Sequence, residues 1–189
     1  MSTTRIMGLM AVAVLLCVAS LDHIATAQNR IRDMDIAGVK LGMTKNTALR
    51  AAEGRGFGNT RDSGNFVIMK KDAAGSGPEH DLIIGLTPSG KVYRVRMNII
   101  PKRVKGYQEL VNDHDQLVDA SRKYYLELLK TYGTPLEGGP DTQQAVYEES
   151  DERGAPTLVL DYSTVAGVSL EWPALLEEEK AQANPRQRW

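Results

Sequence analysis

In two neighbouring segments of this chain, residues 81–87 and 91–100, apolar residues recur at every second position. Pro88-Ser89-Gly90 joins them, and a glycine there can adopt the left-handed conformation of a hairpin bulge. Because successive side chains of a strand point to opposite faces, this pattern predicts an antiparallel hairpin with one covered and one solvated side. The covered side is expected to carry Leu82, Ile84, Leu86, Tyr93, Val95, Met97 and Ile99. An element with an apolar face of its own has to cover them.

A long amphipathic helix over residues 108–132 is predicted to be that element. Its apolar residues recur at three- and four-residue spacing, which is the period of one helical face. The stripe consists of Leu110, Leu117, the small Ser121, Tyr125, Leu128 and Tyr132, with Val111, Val118, Tyr124 and Leu129 at the margins. Gly133 follows directly and Pro135 lies just beyond, and both residue types end helices. We therefore expect this helix to pack across a sheet.

Shorter elements precede and follow the long helix. Residues 45–53 are predicted to form a first helix, with Thr44 as its N-cap and Gly54 and Gly56 as its stop. Residues 36–43 are interpreted as a short edge strand or as an extended segment leading into that helix. Further strands are predicted over residues 65–71, 142–148, 156–163 and 165–172, and a charged helix over residues 174–183.

This order of elements predicts an α+β fold. One helix and three strands are followed by a second helix and three strands, so an antiparallel sheet, or more than one, is packed by one short and one long helix. We expect a single domain over residues 36–183. Because the element order repeats, the domain is predicted to consist of two related halves, residues 36–105 and 106–183.

The first 27 residues are predicted to be a signal peptide. Arg5 is followed by an apolar run over residues 6–19 and then by Ala25-Thr26-Ala27, a small-x-small cleavage site. The apolar run is shorter than the roughly 20 residues that span a bilayer. We therefore expect residues 1–27 to be removed, leaving a periplasmic or secreted protein without a transmembrane span.

The mature chain is then expected to begin with a flexible leader, residues 28–35, and to end in a disordered tail, residues 184–189. Cys17 is the single cysteine, and it lies in the segment predicted to be removed. A mature chain without thiols has neither disulfides nor cysteine metal ligands, so its own core has to stabilise it.

Positive and negative charges nearly cancel, with 23 Lys and Arg against 24 Asp and Glu. Nucleic-acid-binding domains usually carry a basic excess and a basic stripe, so we expect no nucleic-acid partner. The densest basic stretch, residues 91–105, includes Arg94 and Arg96, which are interpreted as the solvated face of a strand. A weak site for an anionic partner or a lipid surface is the alternative interpretation of the same residues.

Two histidines remain in the predicted mature chain, His80 and His114. His114 lies between two aspartates on the long helix, but adjacent helical positions do not share a face, which favours a packed or half-buried side chain. His80, between Glu79 and Asp81, is the better candidate for a metal ligand. Two histidines are still fewer than the three or four ligands of a zinc site. The sequence therefore predicts no catalytic residue, no cofactor and no metal site.

Tyrosine, tryptophan and arginine are enriched where proteins recognise one another. Five such residues fall on predicted strands and are expected to contribute to partner binding: Tyr93, Arg94, Arg96, Tyr162 and Trp172. A sheet face that no helix covers is expected to receive the partner. Ordinary packing in the core is the alternative for the aromatic residues.

Residues 38–57, GVKLGMTKNTALRAAEGRGF, combine a short apolar segment, a Leu-Gly-Met-Thr lead into a helix and closing glycines. This stretch resembles the small outer-membrane assembly lipoproteins of the SmpA/OmlA type and, more broadly, the β-lactamase-inhibitor-like fold. Tyr132-Gly133-Thr134-Pro135 is similar to the glycine-proline end of helices in such domains. The resemblance implies a periplasmic module that binds protein surfaces without catalysis. The chain departs from those lipoproteins in its length and in lacking a small residue before Cys17.

The preferred interpretation is an exported, non-enzymatic protein-binding or scaffold domain of the bacterial cell envelope, whose exposed sheet face contacts another envelope protein. One alternative is a small secreted hydrolase or metal-dependent enzyme that uses His80 and His114. Another is a periplasmic carrier that holds a small or lipid-like ligand between the long helix and the sheet.

Overall fold

The computed structural model describes residues 31–72, 77–101 and 110–183. The predicted signal peptide, the first part of the predicted leader and the predicted tail lie outside these residues. Within the leader, Ile31 is 3% exposed and belongs to the hydrophobic core. Arg32 forms an ion pair with Glu149, with 3.1 Å between Nε and Oε1.

The described residues form three helices and one antiparallel sheet of eight strands, which is the predicted α+β class. The helices are α1 (Lys45–Glu53), α2 (Leu110–Tyr132) and α3 (Pro173–Ala183). The strands are β1 (Gly58–Asp62), β2 (Phe66–Lys71), β3 (Glu79–Leu86), β4 (Val92–Ile100), β5 (Glu137–Gly138), β6 (Gln144–Glu148), β7 (Thr157–Tyr162) and β8 (Ala166–Glu171). None of the helices in this part of the chain is both long and apolar enough to cross a bilayer.

The strand order is β1-β2-β3-β4-β8-β7-β6-β5, so the last strands of the two four-strand groups meet at the centre. There β4 and β8 pair antiparallel, from Arg94 opposite Glu171 to Ile99 opposite Ala166. Four strands follow each of the first two helices, where the sequence predicted three, because β1 and β5 were missed. β1 is polar and almost wholly exposed, and β5 has two residues. Short polar edges of this kind protect a sheet from further pairing, and they carry no apolar alternation.

One face of the sheet is covered by α1 and α2. Strand pairing places Met69 beside Leu82 on this face, and Leu160 beside Val168. Ala48 and Ala52 of α1 and Tyr125 and Leu129 of α2 belong to the same core cluster. Each large side chain buried here contributes about 1.5–3 kcal/mol. The long helix therefore lies on the sheet, as its apolar stripe predicts.

The segment before α1, interpreted as an edge strand or an extended lead into the helix, forms turns and isolated bridges over residues 36–43. Ile36 and Val39 make an isolated bridge across a turn in which Ala37 and Gly38 have φ values of 56° and 81°. Asp35 Oδ1 accepts a hydrogen bond from the Gly38 N–H at 2.7 Å and fixes the turn. Ile36 and Val39 are buried. The apolar residues of this segment therefore indicate burial in the core and not a strand conformation.

At the start of α1, Thr44 occupies the predicted N-cap position, although its side chain makes no capping hydrogen bond. At the other end, Gly54 keeps a right-handed conformation with φ −61°, and Gly56 is the left-handed residue with φ +86°. The helix thus ends where predicted, and the second glycine turns the chain.

A buried carboxylate of the last helix, α3, binds to the turn between β3 and β4. Glu179 is 8% exposed and accepts a hydrogen bond from the Ser89 N–H at 3.2 Å. Its Oε1 lies 3.1 Å from Lys91 Nζ. Hydrogen bonds from Ser89 and Thr87 lower the pKa of Glu179 to about 2, so this carboxylate is ionised at neutral pH. An ionised Glu179 therefore holds α3 against the hairpin.

Candidate functional site

The side of the sheet opposite α1 and α2 is called the open face here. It carries Ile68 and Lys70 of β2, Asp81 and Ile83 of β3, Arg94 and Arg96 of β4, Ser169 and Glu171 of β8, and Val159 and Asp161 of β7. Several of its side chains remain accessible to solvent: Arg94 is 42% exposed and Lys70 is 56% exposed. Aliphatic residues lie among the charged ones, so this face is mixed in chemistry.

A bulge in β4 places Tyr93 on the open face. Gly85 pairs with Arg94 and Leu86 pairs with Val92, which leaves Tyr93 as the extra residue. Val92 is fully buried in the core, whereas the Tyr93 ring reaches within 3.0 Å of the point where a Gly85 Cβ would stand. The prediction that Tyr93 shares the covered face with Val95 is wrong, because strict alternation assumes that no residue is inserted.

Phe66 lies next to this bulge and was missed as a site residue. It pairs with Gly85 across β2 and β3, and it is 45% exposed. Phe66 alternates with the buried Val67, so its place on the opposite face follows from the sequence once β2 is assigned. Phe66, Tyr93 and Arg94 therefore surround Gly85 on the open face.

Arg94 is paired directly across the central strands. Its Nε lies 2.9 Å from Glu171 Oε1, and the two residues are register partners of β4 and β8. Both side chains are more than 30% exposed, so the pair is screened by water and contributes 1 kcal/mol at most. An incoming carboxylate can compete with Glu171 for this guanidinium.

Arg96 makes a longer connection, from β4 to β7 across the intervening β8. Its Nη1 and Nη2 donate to the two carboxylate oxygens of Asp161, each at 2.8 Å, and its Nε donates to Asn98 Oδ1 at 2.8 Å. The hydrogen bonds to Asp161 raise the pKa of the Arg96 guanidinium. A Cβ on Gly167 would stand 2.5 Å from Arg96 Nη2, so a larger residue there would displace the flexible ends of the bridge. Arg96 therefore joins the two four-strand groups.

The other two predicted binding residues lie on the covered side of the sheet. Tyr162 packs against Tyr125, with 4.9 Å between ring centroids. Trp172 packs against the core cluster, and the Arg32 guanidinium lies 4.7 Å from the centroid of its ring. The structure thus brings Tyr93, Arg94 and Arg96 together and places Tyr162 and Trp172 apart from them.

His80 lines a separate cleft of about 320 Å³. It lies on the covered side at the end of β3, opposite Lys71 of β2. Lys71 Nζ donates a hydrogen bond to the Arg55 carbonyl at 2.9 Å, and both residues line the same cleft. Burial, with a smaller contribution from Lys71, lowers the pKa of His80. Its Nδ1 is buried and has no hydrogen-bond partner among the described residues.

The second histidine does not join this cleft. His114 is exposed on α2, where the sequence predicted a packed or half-buried side chain. Within the described ranges, no three His, Cys, Asp or Glu side chains are grouped so that they could hold a metal ion. His114 is not among the residues that line the cleft of His80.

No protein-family model matches the sequence, and comparison with curated proteins and with solved structures gives no significant match. The resemblance to SmpA/OmlA-type lipoproteins stays a prediction.

Proposed function

We propose that this chain is an exported, non-enzymatic protein-binding or scaffold domain of the bacterial cell envelope, and that its open face receives another envelope protein. The observation that carries the proposal is the group of Phe66, Tyr93 and Arg94 around Gly85. Phe66 and Arg94 are accessible and Tyr93 is half-buried, and none of the three belongs to the core cluster.

The chemistry of this group suits recognition of a protein surface. Aromatic residues and arginine supply most of the binding energy at interfaces, and they do so best beside groups that exclude water. Ile68 and Ile83 lie on the neighbouring strands of the same face and provide an apolar margin. A partner with an apolar patch beside a carboxylate is complementary to this arrangement, because the carboxylate can share Arg94 with Glu171.

Rigidity also supports the proposal. The binding group rests on paired strands, and the tight contact between Tyr93 and Gly85 limits the positions of the ring. A surface held in its binding conformation loses little entropy on association. The seven spacings between eight strands, at about 4.8 Å each, span roughly 34 Å, which provides room for an interface of about 800 Å² per partner.

The alternative of a hydrolase or metal-dependent enzyme rests on His80 and His114 acting together. His80 lines the cleft beside β2 and β3, whereas His114 lies on the exposed side of α2. This separation favours the binding proposal over the enzyme alternative.

In-cell photocrosslinking tests the proposal. A photoreactive phenylalanine analogue at position 66 should capture one envelope protein, identified by mass spectrometry, whereas the same analogue at the exposed Glu178 of α3 should not. With the purified partner, Tyr93→Ala and Arg94→Gln should each weaken binding about tenfold. Arg122→Gln, on the outer side of α2, is the matched control. Equal capture from positions 66 and 178, or unchanged affinity in both open-face variants, would refute the proposal.

A further inference from the structure

A second accessible site lies at the C-terminal end of α2, away from the open face. It is a cleft of about 510 Å³ between the last turns of α2 and the loop that follows. Its lining is mainly apolar and includes Leu126, Leu129, Pro135 and Pro140. A concave apolar site of this size falls within the range of small-molecule sites.

Two tyrosines hold the loop that forms the far wall of this cleft. Gly133, with φ +83°, turns the chain away from α2, and its carbonyl accepts a hydrogen bond from Tyr147 OH at 2.8 Å. The Gly139 carbonyl accepts a hydrogen bond from Tyr125 OH, also at 2.8 Å. Tyr125 is fully buried, and burial raises the pKa of its hydroxyl, so the donor keeps its proton. The cleft is therefore formed before any ligand arrives.

The rim of the cleft is cationic. Lys123, Glu127 and Lys130 line it, which leaves a net charge of one positive. Lys130 Nζ is already paired with Glu127 Oε1 at 2.8 Å, whereas Lys123 forms no salt bridge with any residue that the structure describes. The site thus combines an apolar floor with one unneutralised ammonium group at its edge.

We propose that this cleft binds an amphiphilic carboxylate, with the hydrocarbon chain on the apolar floor and the carboxylate at Lys123. The apolar lining favours a body without hydrogen-bonding groups, since burying unpaired polar groups costs free energy. A peptide segment would bury backbone amides against Leu126, Leu129 and the prolines, which offer no partners. A single unpaired cation matches a monoanionic head group.

The site differs from the one predicted for a carrier, which lay between the long helix and the sheet. Ser121 and Tyr125, which face the sheet on α2, are fully buried, so the protein's own side chains fill that interface. The inference is independent of the open-face proposal, because none of the residues that line the cleft lies on the open face.

Titration of the purified mature chain with dodecanoate, followed by calorimetry, tests the inference. We expect saturable binding at one site below the critical micelle concentration of dodecanoate. Lys123→Gln should weaken binding about tenfold, the loss of one charge-assisted contact. Arg122→Gln removes an adjacent exposed cation that does not line the cleft and should leave the affinity unchanged. Dodecanol should bind the parent chain and Lys123→Gln equally.

A second variant tests the floor of the cleft. Leu126→Asp should abolish dodecanoate binding while the circular dichroism spectrum and the thermal midpoint show that the chain remains folded. Saturable binding of equal strength in the Lys123→Gln and Arg122→Gln variants would overturn the proposal, as would no binding at all. Binding that appears only after deletion of residues 184–189 would also overturn it, because the occupant would then be the chain's own tail.

Discussion

The two faces of the sheet differ in how their side chains are placed. On the covered face, side chains follow strict alternation, and almost every one meets α1, α2 or a neighbouring strand in a single cluster. On the open face, the arrangement depends on exceptions: a bulge at Tyr93, a glycine beneath the Tyr93 ring and a glycine beneath the Arg96 bridge. Apolar burial tolerates many sequences, whereas close contacts over a glycine do not. The covered face therefore sets stability, and the open face sets which side chains a partner meets.

Truncation of a buried strand residue should give the largest loss in the free energy of unfolding. A truncation at the neighbouring open-face position allows a direct comparison of the two faces. Leu160 of β7 is fully buried, so Leu160→Ala should lower the free energy of unfolding by about 2–5 kcal/mol through lost burial and a cavity. Its neighbour Val159 points to the open face, and Val159→Ala should cost less than about 1 kcal/mol. Urea denaturation measures both. Similar losses in the two variants would contradict the distinction between the faces.

A methyl group at Gly167 should produce the next largest effect, and on the open face. Gly167→Ala puts a Cβ 2.5 Å from Arg96 Nη2 and 2.7 Å from Asp161 Oδ1, so the bridge has to move. We expect a loss of about 1–3 kcal/mol in the free energy of unfolding.

A double-mutant cycle with Arg96→Ala supplies the control for this substitution. Once the guanidinium is removed, Gly167→Ala should cost clearly less than it does in the parent chain. Equal costs in the two backgrounds would show that the strain at position 167 comes from the backbone and not from the bridge.

These contrasts also mark what the sequence could predict. Periodicity placed α1, α2 and six of the strands to within about two residues, because burial on one side leaves a repeating apolar signal. The polar β1 and the two-residue β5 leave no such signal. Nothing local distinguishes Tyr93 as an inserted residue, since the bulge arises from pairing with β3. Gly167 was different: a glycine inside a strand indicates close approach by another group, and this signal was present.

Glu179 offers a smaller effect that depends on pH. The pKa of Glu179 is lowered to about 2 in the folded chain, below its ordinary value of 4.5. Its contribution is therefore fully present above pH 4.5 and is lost as pH falls towards 2, because the unfolded chain binds the proton first. At pH 7, Glu179→Gln should lower the free energy of unfolding by about 1–2 kcal/mol. The exposed Glu178→Gln is the control. Parallel stability curves for the parent and Glu179→Gln between pH 5 and pH 2.5 would contradict the role of the carboxylate.

The smallest expected effect concerns His80, a titratable side chain on the covered face of the sheet. Burial lowers its pKa below 6.5, so the unfolded chain takes up a proton more readily than the folded one. Stability should therefore decrease as pH falls below about 6.5 and should level off once the folded chain is protonated too. Denaturation between pH 8 and pH 5 should show this decrease in the parent chain and a flatter profile in His80→Gln.

The substitution His114→Gln, at an exposed histidine, is the control and should retain the parent profile. A His114→Gln profile as flat as that of His80→Gln would show that His80 is not the group responsible for the decrease. Burial in the cleft is the main reason why protonation of His80 is unfavourable, and the neighbouring ammonium group of Lys71 adds a smaller contribution.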